Sequence, residues 1–340
     1  MKSFNLGWYA LSGGVAVALV AGCSGSQPPI SARGAMPEIP AMVTHAHRST
    51  SWMLKDASQK SILVYAGNWS TNDVEVYDYP SGTQVGTLTG FHEPYGGCVD
   101  TKGDVYITNF GDGTAVEYAH GGTTILNTYS AGGDPIGCSV DKRGDVAITN
   151  FSPGEVTVYD GGNSGDGKTY SNISCSYQWP MGYDDVGNLI GQGDNGIYIR
   201  ICALLAGAKS ETTLSLAGGI SLEGPGGTMW DGKYIALAQP LATRSHKTLI
   251  MEATIAGSVL TVHGETYLAG PCGPEDDVDP FILGKKNTPI NDRQGEVVVG
   301  ATPSCTHSVA GISSWHYPNH HKPYGTFGES SYSVSAVSIK

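Results

Sequence analysis

Apolar positions in this chain come in short runs parted by turn-forming residues, and the runs recur. "VYITN" at 105–109 leads to "TAVEY" at 114–118, and "VAITN" at 146–150 leads to "EVTVY" at 155–159. Runs rich in Val, Ile, Thr and Tyr, bounded by Gly, Asp and Asn, predict short β-strands. Strict polar alternation is lost in "DVYITNF" and "EVVVGA", which predicts strands covered on both faces. Windows with the helix period and helix-forming residues are nearly absent.

A longer frame lies over these runs. Residues 94–118 and 135–159 repeat one another: Pro94 answers Pro135, Asp100 answers Asp141, Asn109 answers Asn150 and Tyr118 answers Tyr159, each pair 41 positions apart. Asn68, Trp69 and Tyr77 precede Asn109, Phe110 and Tyr118 by the same step. Later copies drift. "YDDVGNLIG", "WDGKYIALAQ" and "RQGEVVVGAT" carry the turn and the strand after it, and Trp315 stands where Tyr77 stood. In "VD-x-x-GDV" the Asp opens and the Gly closes a type I turn, with the carboxylate placed to accept the turn amides. Two strands flank this turn and two more follow. Four short strands at this period predict a β-propeller blade. Six copies span about 61–330. The first lacks an opening strand, and the chain ends in the alternating "YSVSAVSIK". The expected fold is therefore all-β: a six-bladed β-propeller of four-stranded antiparallel blades. Tyr332–Ile339 would close the ring as the innermost strand of the first blade, removing exposed edges.

Outside the repeats the chain reads differently. Residues 1–22 combine Lys2 with a small, apolar run, and "LVAGCSGS" resembles a bacterial lipobox. The resemblance implies a cleaved signal peptide and lipidation of Cys23. Residues 23–58, rich in Ser, Pro and Gly, form a tether, with Trp52 and Met53 placed to pack on the propeller at 59–340. The expected location is the cell envelope, exported and membrane-anchored through the lipid, with the protein a monomer. A net charge of -12 argues against nucleic acid, whose binding rests on Lys and Arg. Six cysteines remain: Cys98, Cys138, Cys175, Cys202, Cys272 and Cys305. Export permits disulfides. Cys98 and Cys138 stand at nearly equivalent points of adjacent repeats, while Cys175 with Cys202 and Cys272 with Cys305 fall within later ones. Spacing does not choose among the pairings, and buried free thiols are the alternative. No CxxC spacing occurs, so a structural zinc site is not expected.

The units "P-x-G-x-x-VD-x-x-G-x-VYITN" resemble NHL-type six-bladed propellers. The run from "SWM" through "VYDYPSGTQVGTLTGF" resembles bacterial secreted or lipoprotein propellers. The likeness is strongest over 51–160 and fades beyond 240. It implies the fold, and it implies lactonases and lyases among the relatives, which hold a divalent metal at the mouth of the central channel.

Candidate chemistry is sparse. "GNSGDGKT" at 162–169 matches a P-loop pattern, but no helical stripe follows to hold a phosphate, so a hairpin loop is expected. "EDDVDP" brings together Asp276, Asp277 and Asp279, and "HYPNHH" brings His316 and His320. Oxygen-rich clusters suit Ca2+ and imidazoles suit Zn2+ or Cu2+; an acidic or polar surface is the plainer reading of each. Asn68, Asn109 and Asn150 recur as turn caps would. Tyr95, Trp69, Phe110 and Phe151 are candidate ligand contacts at one rim, with the repeated positions 69, 110 and 151 read first as inter-blade packing. No nucleophile elbow and no HExxH occur. The expected function is a lipid-anchored binding or scaffolding module for a protein, glycan or small molecule. The alternative is a hydrolase or lyase of lactonase type that uses Ca2+ or another divalent cation.

Overall fold

The computed structural model describes residues 50–79, 81–242, 247–268, 281–283, 295–300, 312–317, 325–327 and 332–339. Among them the regular structure is β-strand, with single turns of 3-10 helix and no α-helix.

The Asp turn organises each unit. Asp100 Oδ1 accepts the amides of Lys102 (2.8 Å) and Asp104 (2.9 Å). Asp141 Oδ1 does the same for Arg143 (2.8 Å) and Asp145 (2.9 Å), and Asp184 Oδ1 for Val186 (3.0 Å) and Asn188 (2.8 Å). Gly103, Gly144 and Gly187 end these turns at φ of 91°, 86° and 91°, a region that favours glycine. In the fifth unit Asp231 holds the amides of Lys233 and Tyr234, but the glycine moves to position 232, with φ 95°. The carboxylate is the constant; the glycine follows the turn length.

Each turn joins the first strand of a unit to the second. The second unit is an antiparallel sheet of Pro94–Val99, Val105–Asn109, Thr114–Tyr118 and Ile125–Ser130 in chain order. The third repeats it with Pro135–Val140, Val146–Asn150, Glu155–Tyr159 and Lys168–Ser171. The P-loop-like stretch is the hairpin loop before Lys168, followed by that strand rather than a helix. In the first unit the order is Tyr332–Ile339, Ile62–Asn68, Asp73–Asp78, Thr83–Thr89. The C-terminal strand thus pairs along Ile62–Asn68, from Ile62 opposite Ile339 to Asn68 opposite Tyr332. Ser338 is buried there and donates to the Gly103 carbonyl at 2.6 Å, while His120 bonds both Ser338 Oγ and the Lys60 carbonyl. At the outer edge Trp52–Met53 pairs with Thr87 and Gly86, and Ala57 is buried in the same core.

The fourth and fifth units depart from the expected separate blades. The fourth comprises Gly182–Tyr183, Leu189–Asp194, Ile199–Leu204 and Thr212–Leu216; the fifth comprises Thr228–Trp230, Ile235–Ala242, Lys247–Ala256 and Val259–Leu268. Their outer strands meet in parallel at Ser215–Val259 and Leu216–Leu260, merging both units, together with the short strand Tyr177–Gln178 paired to Asp194 and Gly193, into one nine-stranded sheet. The last two strands of the fifth unit have 10 residues each, against 5 and 4 in the third. They overrun the neighbouring edge, and pairing satisfies backbone groups that would otherwise be left open. Phe281–Leu283, Gly295–Gly300, Ile312–Tyr317 and Gly325–Phe327 form a further four-stranded sheet. Its third strand buries Trp315, as the third strand of the first unit buries Tyr77.

First strands of successive units lie side by side: Tyr332–Ile339, Pro94–Val99, Pro135–Val140, Gly182–Tyr183 and Thr228–Trp230, with Phe281–Leu283 next to Tyr332–Ile339. The P-x-G glycine permits this approach. A Cβ on Gly96 would strike the Ile136 carbonyl, one on Gly137 would lie 2.6 Å from Pro180, and one on Gly182 would lie 2.9 Å from the Met229 backbone. Between the second and third sheets Tyr106, Tyr129, Tyr159 and Ile148 pack beside a disulfide, Cys98–Cys138. Buried Glu117 accepts from Asn127 (2.6 Å) and Tyr129 (3.0 Å) in this layer. A second disulfide joins Cys175 to Cys202. Cys23, Cys272 and Cys305 lie outside the described residues.

Candidate functional site

One end of the sheets collects the turns between second and third strands and the linkers between units. The recurring asparagines work there as structural ties. Asn68 Oδ1 accepts the amides of Ser70 (3.0 Å) and Thr71 (3.3 Å) within its own turn. Asn109 Oδ1 accepts the His92 amide at 2.6 Å, and its Nδ2 donates to Asp112 at 2.9 Å. Asn150 Nδ2 donates to the Ala131 carbonyl at 2.7 Å. The last two fasten a turn to the linker before its unit.

The aromatic residue after each asparagine is carried to the rim. Trp69 is 54% exposed, so inter-blade packing does not describe it. Phe110 and Phe151 are half-buried and rest on linker or first-strand aromatics. The Phe110 ring lies 6.4 Å from Tyr95, and Phe151 lies 5.4 Å from Tyr177 and 5.2 Å edge-on from Trp179. Edge and tilted contacts at such distances are favourable pairs that hold rings rigid. The four rim aromatics named from sequence therefore do share one end of the sheets, joined by Tyr177 and Trp179, which sequence reasoning did not single out. They sit in a linker with no counterpart spacing in the repeat.

Next to Phe151 and Tyr177 is a buried polar pair of the fourth unit, Gln178 and Glu211. The Gln178 amide donates to the Phe151 carbonyl at 3.2 Å, fixing the linker. Its side-chain Nε2 donates to Glu211 Oε2 at 2.8 Å. Burial pushes the Glu211 carboxyl up to about 7; the Glu155 charge adds to this and the Gln178 hydrogen bond opposes it. Burial also raises the Glu155 carboxyl, with Asn150 opposing. Among the described residues no Lys or Arg acts on either carboxyl. Glu155, Gln178 and Glu211 come from a strand start, a linker and a strand approach in two units, a juxtaposition that no repeat spacing signals.

Two hollows lie elsewhere. A cavity of about 310 Å3 is lined by Gly219, Ser221, Gln239, Met251, Glu265 and Tyr267. A groove of about 650 Å3 runs past Ile197, Tyr198, Arg200, Leu216 and Ile220. Gln239 itself is held by Gln192 and by the amides of Glu223 and Gly224. Asp276, Asp277, Asp279 and His320 lie outside the described residues, and His316 is on a strand of which the backbone alone is described. Among the described residues no three His, Cys, Asp or Glu side chains gather as a metal site, and no helix is long and apolar enough to cross a membrane.

Repeated four-stranded antiparallel sheets with first strands side by side define a β-propeller-type fold. Two solved structures, the first two below, agree in fold. A chain of the nidogen/laminin complex matches with a TM-score of 0.56 at 14% identity, over 82% of this chain and 97% of that one. A gluconolactonase from Xanthomonas campestris matches with 0.51 at 10%, over 79% and 84%. A streptogramin B lyase matches with 0.45 at 15%, over 81% and 82%. No protein-family model matches the chain, and no curated protein does.

Proposed function

We propose that the protein is a lipid-anchored binding or scaffolding module of the cell envelope, a six-bladed NHL-like ring that meets its partner at the aromatic rim. The rim carries the reading: Trp69, Phe110, Phe151 and Tyr177 present partly exposed rings along consecutive units, braced from beneath by Tyr95 and Trp179. Rigid aromatics with a polar handle nearby are the side chains that dominate binding surfaces. The repeated antiparallel sheets and the pairing of Tyr332–Ile339 with Ile62–Asn68 support the closed ring. The two disulfides support passage through an oxidising compartment. Similarity in fold to a chain of the nidogen/laminin complex fits a protein-binding role.

Photo-cross-linking of the full chain to an envelope fraction tests this. Trp69→Ala with Phe151→Ala should abolish the cross-linked species while leaving the melting temperature nearly unchanged. Ile197→Asp with Ile220→Asp, on the 650 Å3 groove, should leave cross-linking intact. The reverse result would overturn the rim. Labelling with an alkyne fatty acid that persists in Cys23→Ser would overturn the anchor. A divalent-cation-dependent hydrolase or lyase at the channel mouth is the other reading. The three asparagines at that end are engaged in turn and linker hydrogen bonds, which does not favour it.

A further inference from the structure

We propose that His120 is held as an imidazolium in the folded protein, so that the C-terminal strand is fastened by a proton and loosened as pH rises. His120 follows the third strand of the second unit and is buried. Its Nδ1 lies 2.6 Å from Ser338 Oγ, and its Nε2 lies 2.9 Å from the Lys60 carbonyl. Ser338 Oγ lies 2.6 Å from the Gly103 carbonyl as well. Each of these three contacts is at hydrogen-bond distance and needs one hydrogen. The two carbonyls carry none, the serine hydroxyl supplies one, and a neutral imidazole supplies one. A neutral ring therefore leaves one contact as two facing lone pairs. The imidazolium supplies the missing hydrogen: Nδ1 donates to Ser338, Nε2 donates to Lys60, and Ser338 donates on to Gly103.

Two effects compete over that proton. Burial of the ring opposes its charge. Charge-assisted hydrogen bonds to two fixed acceptors favour it, and a neutral ring leaves a buried polar contact unmade. The charged groups on the elements around the ring act in the same direction. In the first unit the Lys60 ammonium lies 3.8 Å from Asp56 and 3.6 Å from Asp78. In the second unit Asp100, Lys102 and Asp104 stand on the turn of Gly103, where a Cβ would lie 3.8 Å from His120 Cβ. Glu117 lies on the strand that leads to His120. Among these described groups carboxylates outnumber ammoniums. The Tyr65 hydroxyl accepts the Gly121 amide at 2.9 Å, and burial pushes it up to about 12, so it stays neutral. Lys340 lies outside the described residues. The contacts join the approach to the first unit, the second unit and the C-terminal strand, so losing the proton unmakes a tie among all three. The folded chain keeps this proton to higher pH than a free imidazole, whose pKa is about 6.5. The stabilisation is fully present below that value and is lost as pH rises through the folded one.

Nitrogen NMR of the full chain, labelled in its histidine rings, tests the proton directly. The His120 signals are those lost in His120→Gln or displaced in Ser338→Ala. They should show both ring nitrogens protonated at neutral pH and should titrate above the free-imidazole range. Ser338→Ala removes one acceptor and with it the need for a third hydrogen, so His120 should titrate lower there than in the wild type. Urea denaturation across that range tests the tie. The unfolding constant of His120→Gln relative to wild type should be level below about pH 6.5 and then fall by about tenfold per pH unit up to the folded titration. His92→Gln, at an exposed histidine beside Asp112, should keep the wild-type profile. Amide exchange of Tyr332–Ile339, corrected for its intrinsic pH dependence, should quicken over the same range in the wild type and not in His120→Gln. A single ring proton on His120 at neutral pH, an unchanged titration in Ser338→Ala, or a ratio of unfolding constants that ignores pH would each overturn the proposal. If His120→Gln does not fold, the wild-type and Ser338→Ala titrations decide it.

Discussion

At the scale of single residues, the Asp–Gly turn separates backbone conformation from space. Gly103 and Gly144 occupy equivalent positions with φ of 91° and 86°. A Cβ at 144 would meet nothing within 4 Å, whereas one at 103 would lie 3.0 Å from the Ile339 carbonyl of the C-terminal strand. Gly144→Val should cost about 1–3 kcal/mol from backbone strain alone. Gly103→Val should cost more, because that strand must also shift. Urea denaturation of the two variants measures the difference; equal losses would refute the close approach. Asp104 gives a pH test. Its carboxyl is held above the ordinary range by burial first, then by Asp100 and Glu117. The folded pKa exceeds the unfolded one, so the ionised form disfavours folding. The stability contribution is fully present below the unfolded pKa and lost as pH rises through the folded value. Asp104→Asn should therefore raise the melting temperature at pH 7, with the gain shrinking toward acid pH. The turn's hydrogen bonds, Asp104 amide to the Asp100 side-chain Oδ1 included, use the backbone of residue 104 and not the altered side chain.

At the scale of elements, adjacent units are joined by three kinds of tie. Glycines let first strands touch, asparagines fasten turns to linkers, and one disulfide spans first strands of neighbours. Cys98 and Cys138 bridge across 40 residues of sequence. Closing a loop of that size in the unfolded chain is worth about 2–4 kcal/mol. Cys98→Ser with Cys138→Ser should lose that much by chemical denaturation, and the Tyr106–Tyr129–Tyr159 layer beside the bridge should show it as a changed near-ultraviolet signal. The merged edge of the fourth and fifth units is a further tie, made by strands long enough to reach their neighbour.

For the whole molecule, the C-terminal strand is the decisive piece. Tyr332–Ile339 covers the otherwise open side of Ile62–Asn68, and Ser338 is locked to Gly103 of the second unit and bonded by His120. Deleting 332–340 would uncover a buried apolar strand edge, the kind of surface that invites strand addition from other chains. The truncated chain should self-associate, visible as concentration-dependent light scattering, and should melt well below the full chain. A monomeric truncation with unchanged melting would show that this pairing contributes little.

Much of the fold was legible from period and composition. The 41-residue step, the Asp–x–x–Gly turns and the unpaired "YSVSAVSIK" point to repeated four-stranded sheets with the tail returning to the head, because hydrogen-bonding valence and side-chain period are local properties that repeat with the sequence. The turn-capping role of Asn68 was legible for the same reason, whereas the ties of Asn109 and Asn150 to the preceding linkers were not. Other features belong to tertiary structure. The parallel join at Ser215–Val259 depends on where two outer strands come to lie. The choice of Cys98–Cys138 and Cys175–Cys202 among all pairings depends on distance in space. The buried hydrogen bond of Gln178 to Glu211 joins positions that share no spacing, and burial raises the Glu211 carboxyl. Sequence alone determined the local geometry of one unit and its recurrence; only the packing of unit against unit decided which groups lost their water and met one another, since desolvation and contact are properties of the assembled chain.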